Sequence, residues 1–171
     1  MPQFILPRSG ILAFMDDESR EQLNSYGSIL PTSAGQIIIQ EGEPQTSLYV
    51  VIAGVFNVSV QTAGREVHLD TVGEGDCFGE VSIFQPGPAS ATVTSVKEGQ
   101  LWYTGVDNLQ QYLLDWPYAG CAIILGINTI LTRRLKRANG VIRANEIVPS
   151  FLSVRAKKRV GNIASSGQLS T

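Results

Sequence analysis

Alternation of apolar and polar positions marks the middle of the chain as β structure. Val55, Phe56, Asn57, Val58, Ser59 and Val60 alternate as a half-buried strand does, and residues 66–72 alternate again. The β-branched run 36–40 and the run 48–52 read as further strands. They stop at Glu41-Gly42-Glu43-Pro44 and at Ala53-Gly54, and Ala63-Gly64 makes a hairpin turn. Residues 92–96 and 101–104 close the series, with a turn at Glu98-Gly99. Short strands at regular spacing with glycine turns predict a barrel or jelly roll.

Helical patterning brackets this region. Ahead of it, Asp16 or Asp17 caps a short helix, with Glu18 and Glu21 suited to the positive first turn. Leu12, Met15, Leu23 and Tyr26 supply its apolar face, and Gly27 ends it. Residues 1–10 precede it as a loose lead-in. Behind the strands, Asp107 caps a segment containing Leu109, Tyr112 and Leu113, broken at Trp116-Pro117. From Tyr118 a longer helix is expected to about Asn139. It carries one stripe through Ile123, Ile127, Ile130, Arg134, Arg137 and Val141, and a second through Ile124, Asn128, Leu131, Leu135, Ala138 and Ile142. Two stripes mean two surfaces to touch, the barrel and something else, and a second copy of the chain is the simplest partner. Asn139-Gly140 is expected to end or kink the helix and Pro149 to stop a further piece. Residues 151–160 form a basic amphipathic segment, and residues 161–171 are small, polar and expected to be disordered.

The fold class is therefore mainly β with flanking helices (α+β): an antiparallel β-roll of about eight strands, a short N-terminal helix and a long C-terminal helix. The expected organisation is a lead-in over 1–10, a β-roll with its helix over 11–106, C-terminal helices forming a dimer seam over 107–148, and a basic then flexible tail over 149–171.

Charge is unevenly placed. Residues 1–132 hold four basic residues against fourteen acidic ones, a balance of −10, whereas residues 133–171 hold nine basic residues against Glu146 alone, a balance of +8. The basic part reads as a solvated face, or as a surface for nucleic acid or an anionic membrane, for an acidic partner or for the acidic body itself. No secretory leader is visible, and the most apolar run, residues 118–131, is shorter than the roughly 20 residues a bilayer requires. A cytoplasmic protein is the expectation. Cys77 and Cys121 lack metal-ligand spacing and are expected to pack as small buried apolar residues. His68 stands alone on an alternating strand. With no nucleophile–base pair, paired carboxylates or metal cluster, neither an enzyme nor a cofactor is expected.

The stretch Gly73-Glu74-Gly75-Asp76-Cys77-Phe78-Gly79-Glu80 turns, sets the Glu80 carboxylate beside Gly79, and continues through Val81, Ser82 and Ile83 to a second turn at Pro86-Gly87-Pro88. With Gly35-x5-Glu41-Gly42-Glu43 and Leu48-Tyr49-Val50-Val51-x2-Gly54 before it, this pattern closely resembles the cyclic nucleotide-binding domain over residues 11–139. That is the sensor module of catabolite activator protein, protein kinase A regulatory subunits and cyclic nucleotide-gated channels. The resemblance implies a regulatory, ligand-sensing protein whose ligand is cAMP or cGMP. It implies a cassette in which Phe78, Gly79, Glu80, Val81, Ser82 and Ile83 surround the sugar and cyclic phosphate, Glu80 accepting from the ribose 2′-hydroxyl. The family places Pro-Arg-(Ala/Ser/Thr)-Ala next, its arginine pairing with the phosphate, where this chain has Pro88-Ala89-Ser90-Ala91. Ala89 at the arginine position implies weak or altered ligand binding. Arg65, Arg133 and Arg134 are cations elsewhere in the chain. The resemblance also places Ala138 and Asn139 where the long helix reaches the base, and Asn139 both donates and accepts. It implies a homodimer and a signal passed through the long helix to an unidentified protein partner. The transcription-factor branch continues into a helix-turn-helix reader, and this chain ends about where that reader begins, so sequence-specific DNA binding is not expected. The alternative is a ligand-independent protein–protein scaffold using the seam helix and basic tail.

Overall fold

The computed structural model describes residues 6–160, with side chains over residues 6–140. The chain divides into two compact units, Met1–Ile130 and Leu131–Thr171. The expectation of disorder over residues 161–171 falls outside the described residues, as do the side chains of the basic segment 151–160.

The first unit opens with a 3-10 turn, Gly10–Leu12, and helix α1, Asp17–Asn24. Asp16 caps α1 by accepting from the Ser19 N–H at 2.8 Å. The Ser19 hydroxyl does most to hold the Asp16 carboxyl below its ordinary value, and this N–H bond lowers it further. Ten strands follow, with helix α2 between the seventh and the eighth. They are β1 Ser28–Thr32, β2 Ile37–Ile39, β3 Pro44–Gln45, β4 Ser47–Ala53, β5 Val55–Thr62, β6 Arg65–Gly73, β7 Cys77–Phe78, then, beyond α2 Glu80–Phe84, β8 Gly87–Pro88, β9 Thr92–Ser95 and β10 Gly99–Gly105. Two antiparallel four-stranded sheets, β1-β10-β4-β7 and β2-β9-β5-β6, make the roll, and β3 and β8 form a separate two-stranded ladder.

Register explains the burial. On β4 and β10, Val51 pairs with Leu101 and Tyr49 with Tyr103, whereas Val50 pairs with Trp102. Side chains alternate across a strand. Val51 and Leu101 accordingly join Ile39, Phe56, Val72, Phe78, Ala89 and Val93 in one apolar cluster, while Leu48, Val50 and Trp102 are buried on the opposite face. Helix α3, Val106–Asp115, buries Leu109 and Tyr112, and helix α4, Pro117–Val160, buries Ile123, Ile127 and Ile130 within the first unit. Proline suits the first position of α4, where its missing N–H has no partner to lose.

Several expectations need correction. Residues 6–10 are not loose: Leu6 is fully buried, and its carbonyl accepts from the Arg20 guanidinium, which also pairs with Asp17. Helix α1 ends at Asn24 rather than Gly27, because the Ser25, Tyr26 and Gly27 N–H groups bond three residues back, to the Gln22, Leu23 and Asn24 carbonyls, and Leu12 and Met15 are buried ahead of the helix rather than on it. Cys121 is exposed, whereas Cys77 is buried as expected. Two residues from Ile123 along a helix is about 200° around it, which turns Cys121 away from the buried stripe. Helix α4 runs through Asn139-Gly140 and past Pro149 to Val160. One proline removes a single N–H from the ladder, and the bonds on either side continue it. Residues 86–88, read as a turn alone, also supply β8. No helix among the described residues is long and apolar enough to cross a membrane.

Candidate functional site

The site is built where β7 turns into α2. The turn ahead of β7 is pinned to β4: the Val51 N–H donates to the Asp76 carbonyl and the Gly75 N–H to the Val51 carbonyl, both at 2.9 Å. Phe78 then enters the apolar cluster, 3% exposed, with its ring stacked 5.1 Å from Tyr49 and tilted 5.6 Å from Phe56. Gly79 caps α2 at φ 81°, the left-handed region. A Cβ there would lie 2.3 Å from the Ser47 carbonyl oxygen and 2.8 Å from Gln45 Nε2, so both the backbone angle and the space exclude a side chain. This conformation delivers Glu80 to the first turn of α2, where the residue is only 4% exposed. Burying a carboxylate is costly unless the site satisfies it. The N-terminal end of a helix is electrostatically the better end for it.

The remaining residues divide by exposure. Ser82 is buried, Ile83 half-buried, and Val81 and Phe84 stand out from α2. Ala89 is buried, Ala91 half-buried and Ser90 exposed. The strap between β2 and β4 holds the exit of the cassette. The Ala89 N–H donates to the Glu43 carbonyl, and the Gly42 N–H donates to the Ala89 carbonyl, both at 2.8 Å. Thr92 Oγ1 accepts from the Glu41 N–H at 3.1 Å. Phe78 and Ala89, eleven positions apart, thereby meet in one apolar cluster. Asn139 is exposed on the part of α4 that belongs to the second unit, and is not among the residues the first unit gathers.

Two residues beside the cassette escaped the sequence reading. Tyr49 stacks between Phe78 and Tyr103, whose centroid lies 5.9 Å away, and it is the ring nearest Gly79. Burial pushes the Tyr49 phenol up, against a lowering hydrogen bond with Ser47, and Tyr103 pushes it up further. Gln45 donates to the Ser47 carbonyl at 2.8 Å and accepts from the Thr46 N–H at 2.9 Å, fixing the turn under Gly79. Strand alternation around Val50 identifies the face of Tyr49; nothing local identifies Gln45.

A chain of close contacts leads away from the cassette. The Ile11 N–H donates to the Gly75 carbonyl at 3.2 Å. A Cβ on Gly126 of α4 would lie 2.0 Å from the Ile11 carbonyl oxygen. The 3-10 turn thus touches the entry to the cassette on one side and α4 on the other. His68 lies elsewhere, exposed and 3.1 Å from Thr71 Oγ1, and no His, Cys, Asp and Glu group suited to a metal occurs among the described residues.

Residues 30–115 match the family model described as the cyclic nucleotide-binding domain. The chain is 31% identical over 136 residues to a CRP-like cAMP-activated global transcriptional regulator of Mycobacterium tuberculosis, covering 79% of this chain and 59% of that protein. The chain therefore spans about three-fifths of the length of the curated relative it matches. Among solved structures, the N-terminal domain of a transcriptional regulator from Streptomyces coelicolor superposes with a TM-score of 0.63 at 32% identity, covering 79% of this chain and 92% of that one. The regulatory domain of Toxoplasma gondii protein kinase A, solved with cAMP, gives a TM-score of 0.56 at 31% identity, covering 63% of this chain and 41% of that one.

Proposed function

Because the chain belongs to the cyclic nucleotide-binding domain family, we propose that it is a non-enzymatic regulatory sensor whose ligand occupies the cassette at residues 78–91. Glu80 carries this reading: a buried carboxylate, presented on α2 by a glycine that no other residue can replace. In this reading Phe78, Gly79, Val81, Ser82 and Ile83 surround the ligand's sugar side, and Ala89, Ser90 and Ala91 form the side where the family's arginine meets a phosphate. A charge-assisted hydrogen bond contributes roughly 1.5–3 kcal/mol, so alanine at that position weakens cyclic nucleotide binding about ten- to a hundredfold.

Occupancy is passed on through Gly75, Ile11 and Gly126 to α4, whose outward face joins a second copy and presents the signal to a protein partner. The support is the exposure of Tyr118, Leu125 and Leu135, at 93%, 59% and 61%. Ligand shifts the population only so far as it binds one arrangement better than the other.

Calorimetry with cAMP and cGMP tests the reading on the wild type and on Ala89→Arg. The expected outcome is a ten- to hundredfold gain in affinity in the variant. If a folded variant and the wild type both give no heat at millimolar ligand, the sensor reading fails. What remains then is a ligand-independent scaffold acting through the exposed face of α4.

A further inference from the structure

We propose that the groove between α1 and the corner joining α3 to α4 is a docking site for a protein partner, and that it takes an arginine side chain from a basic segment of that partner. The surface lies apart from the cassette, and the inference holds whether or not the cassette is occupied.

The groove has a volume of about 350 Å³. It is lined by Glu18 and Gln22 from α1, Asp115 and Trp116 from the end of α3, and Pro117 from the start of α4. That is the low end of the range for sites that enclose a small molecule, and it is room enough for one long side chain. Trp116 is 40% exposed, whereas Trp102, the chain's other tryptophan, is fully buried. Open tryptophans are the residues on which protein partners most often concentrate their binding energy.

The charge around the groove has one sign. From residue 98 to residue 132 there are three acidic residues and no lysine, arginine or histidine. Helix α1 adds Asp17, Glu18 and Glu21, and its one cation, Arg20, is buried and engaged by Asp17 and the Leu6 carbonyl. Arg8 acts on Asp16, at the N-cap of α1, and neither arginine lines the groove. A cation is therefore the complementary occupant.

The walls are already set for a planar one. Asp115 accepts from the Tyr26 hydroxyl at 2.7 Å through Oδ2 and from Gln111 Nε2 at 2.8 Å through Oδ1. Tyr26 in turn takes a hydrogen bond from the Trp116 side chain. These bonds hold carboxylate and indole in place before a ligand arrives, so less side-chain freedom is lost on binding. A carboxylate has about four lone-pair sites, so Asp115 keeps acceptor capacity beyond these two bonds. A guanidinium lies flat on an indole and donates several hydrogen bonds in its own plane, which an ammonium does not. Because α1, α3 and α4 all line the groove, a change of angle at Trp116-Pro117 alters it, and an occupant reads that corner.

The full chain is titrated with acetyl-Ala-Arg-Ala-amide and with the same peptide carrying citrulline, which keeps the shape of arginine without its charge. Tryptophan fluorescence reads the site, since Trp102 is buried and gives a constant background. Saturable binding of the arginine peptide is expected, with the citrulline peptide at least tenfold weaker. Trp116→Leu keeps every charge, and calorimetry is expected to show at least a tenfold loss. Glu18→Gln, at an exposed position of α1, is expected to cost about threefold at low salt and decides the matter should Trp116→Leu fail to fold. The inference falls if nothing binds below about 10 mM, if citrulline binds as well as arginine, or if the folded variants bind like wild type. In a last variant Arg155, Lys157, Lys158 and Arg159 are replaced by glutamine within the full chain. Unchanged affinity for the arginine peptide supports a separate partner, whereas a tenfold gain means that the chain's own tail fills the groove, and the separate partner falls. No nucleotide is present in these titrations, so their failure leaves the sensor reading standing.

Discussion

At Tyr112 three effects push the phenol the same way. Burial leads, the charge of Asp16 adds to it and Tyr26 adds again, raising its pKa to about 12 from an ordinary value of 10.0. The hydroxyl donates to the Ser19 carbonyl at 3.0 Å and so ties α3 to α1. Tyr26 meets the same ring edge-on at 5.2 Å and donates to Asp115 at 2.7 Å. Between pH 10 and about 12 the unfolded chain releases the Tyr112 proton while the folded chain keeps it, so stability falls as pH rises through this window. Denaturant unfolding over that range is expected to show the decline, and Tyr112→Phe is expected to flatten it. Helical spacing with Leu109 is enough to place Tyr112 on an apolar face, whereas its partners, Ser19 of α1 and Tyr26 just beyond it, lie more than eighty positions away. The same contrast holds at the cassette. Gly79, Glu80 and Ala89 are recognisable because they sit in a contiguous pattern of turn, carboxylate and proline. Tyr49 and Gln45 are not, because what they touch is set by strand pairing.

At the scale of elements, the 3-10 turn is held between two others by glycines. A Cβ on Gly10 would lie 1.7 Å from the Gly75 carbonyl oxygen, and one on Gly126 would lie 2.0 Å from that of Ile11. Three elements approach at backbone distance only because these positions lack side chains. Alanine is the better helix former by about 1 kcal/mol. In Gly126→Ala, however, the methyl meets backbone rather than a flexible side chain, and overpacking of this kind costs about 1–3 kcal/mol or more. We expect Gly126→Ala to lower the Tm, at about 2–4 °C per kcal/mol for a chain of this size, and to uncouple ligand binding from changes in α4. Proteolysis of α4 with and without ligand reads the second effect. Helix α4 also shows where periodicity misleads. Its two expected stripes are only partly separate. Ile123, Ile127 and Ile130 are buried, but the exposed line passes through Tyr118, Cys121, Leu125 and Asn128, three or four residues apart. Hydrophobicity marks the first line strongly and the second weakly, since cysteine, asparagine and tyrosine suit several environments.

At the scale of the whole molecule, that exposed line is the surface a second copy would cover. Apolar side chains as open as Tyr118 and Leu125 are common singly on monomers, but a row at heptad spacing is the pattern of a helical seam. Leu125→Glu is expected to sediment as a monomer where wild type sediments as a dimer, with the thermal transition of the roll retained. A wild type that is monomeric at high micromolar concentration would remove the seam from the proposed mechanism. Charge belongs to this scale too. An acidic stretch to residue 132 and a basic one after it give the two parts of the chain opposite fields, and the basic part is the one suited to an acidic partner.

The sequence by itself determined the β-roll, the capped helices and the pattern from Phe78 to Ala91 that we read as a ligand cassette. These follow from alternation, glycine placement and capping, which act over a few neighbouring residues. The missing cation at Ala89 was also visible there, because it is a matter of residue identity. Only the tertiary structure decided that Ala89 faces an apolar cluster, that its amide is engaged by Glu43, and that Ile11 bridges Gly75 to Gly126. Those facts depend on register and on close approach between segments distant in the chain, and local pattern carries no record of either.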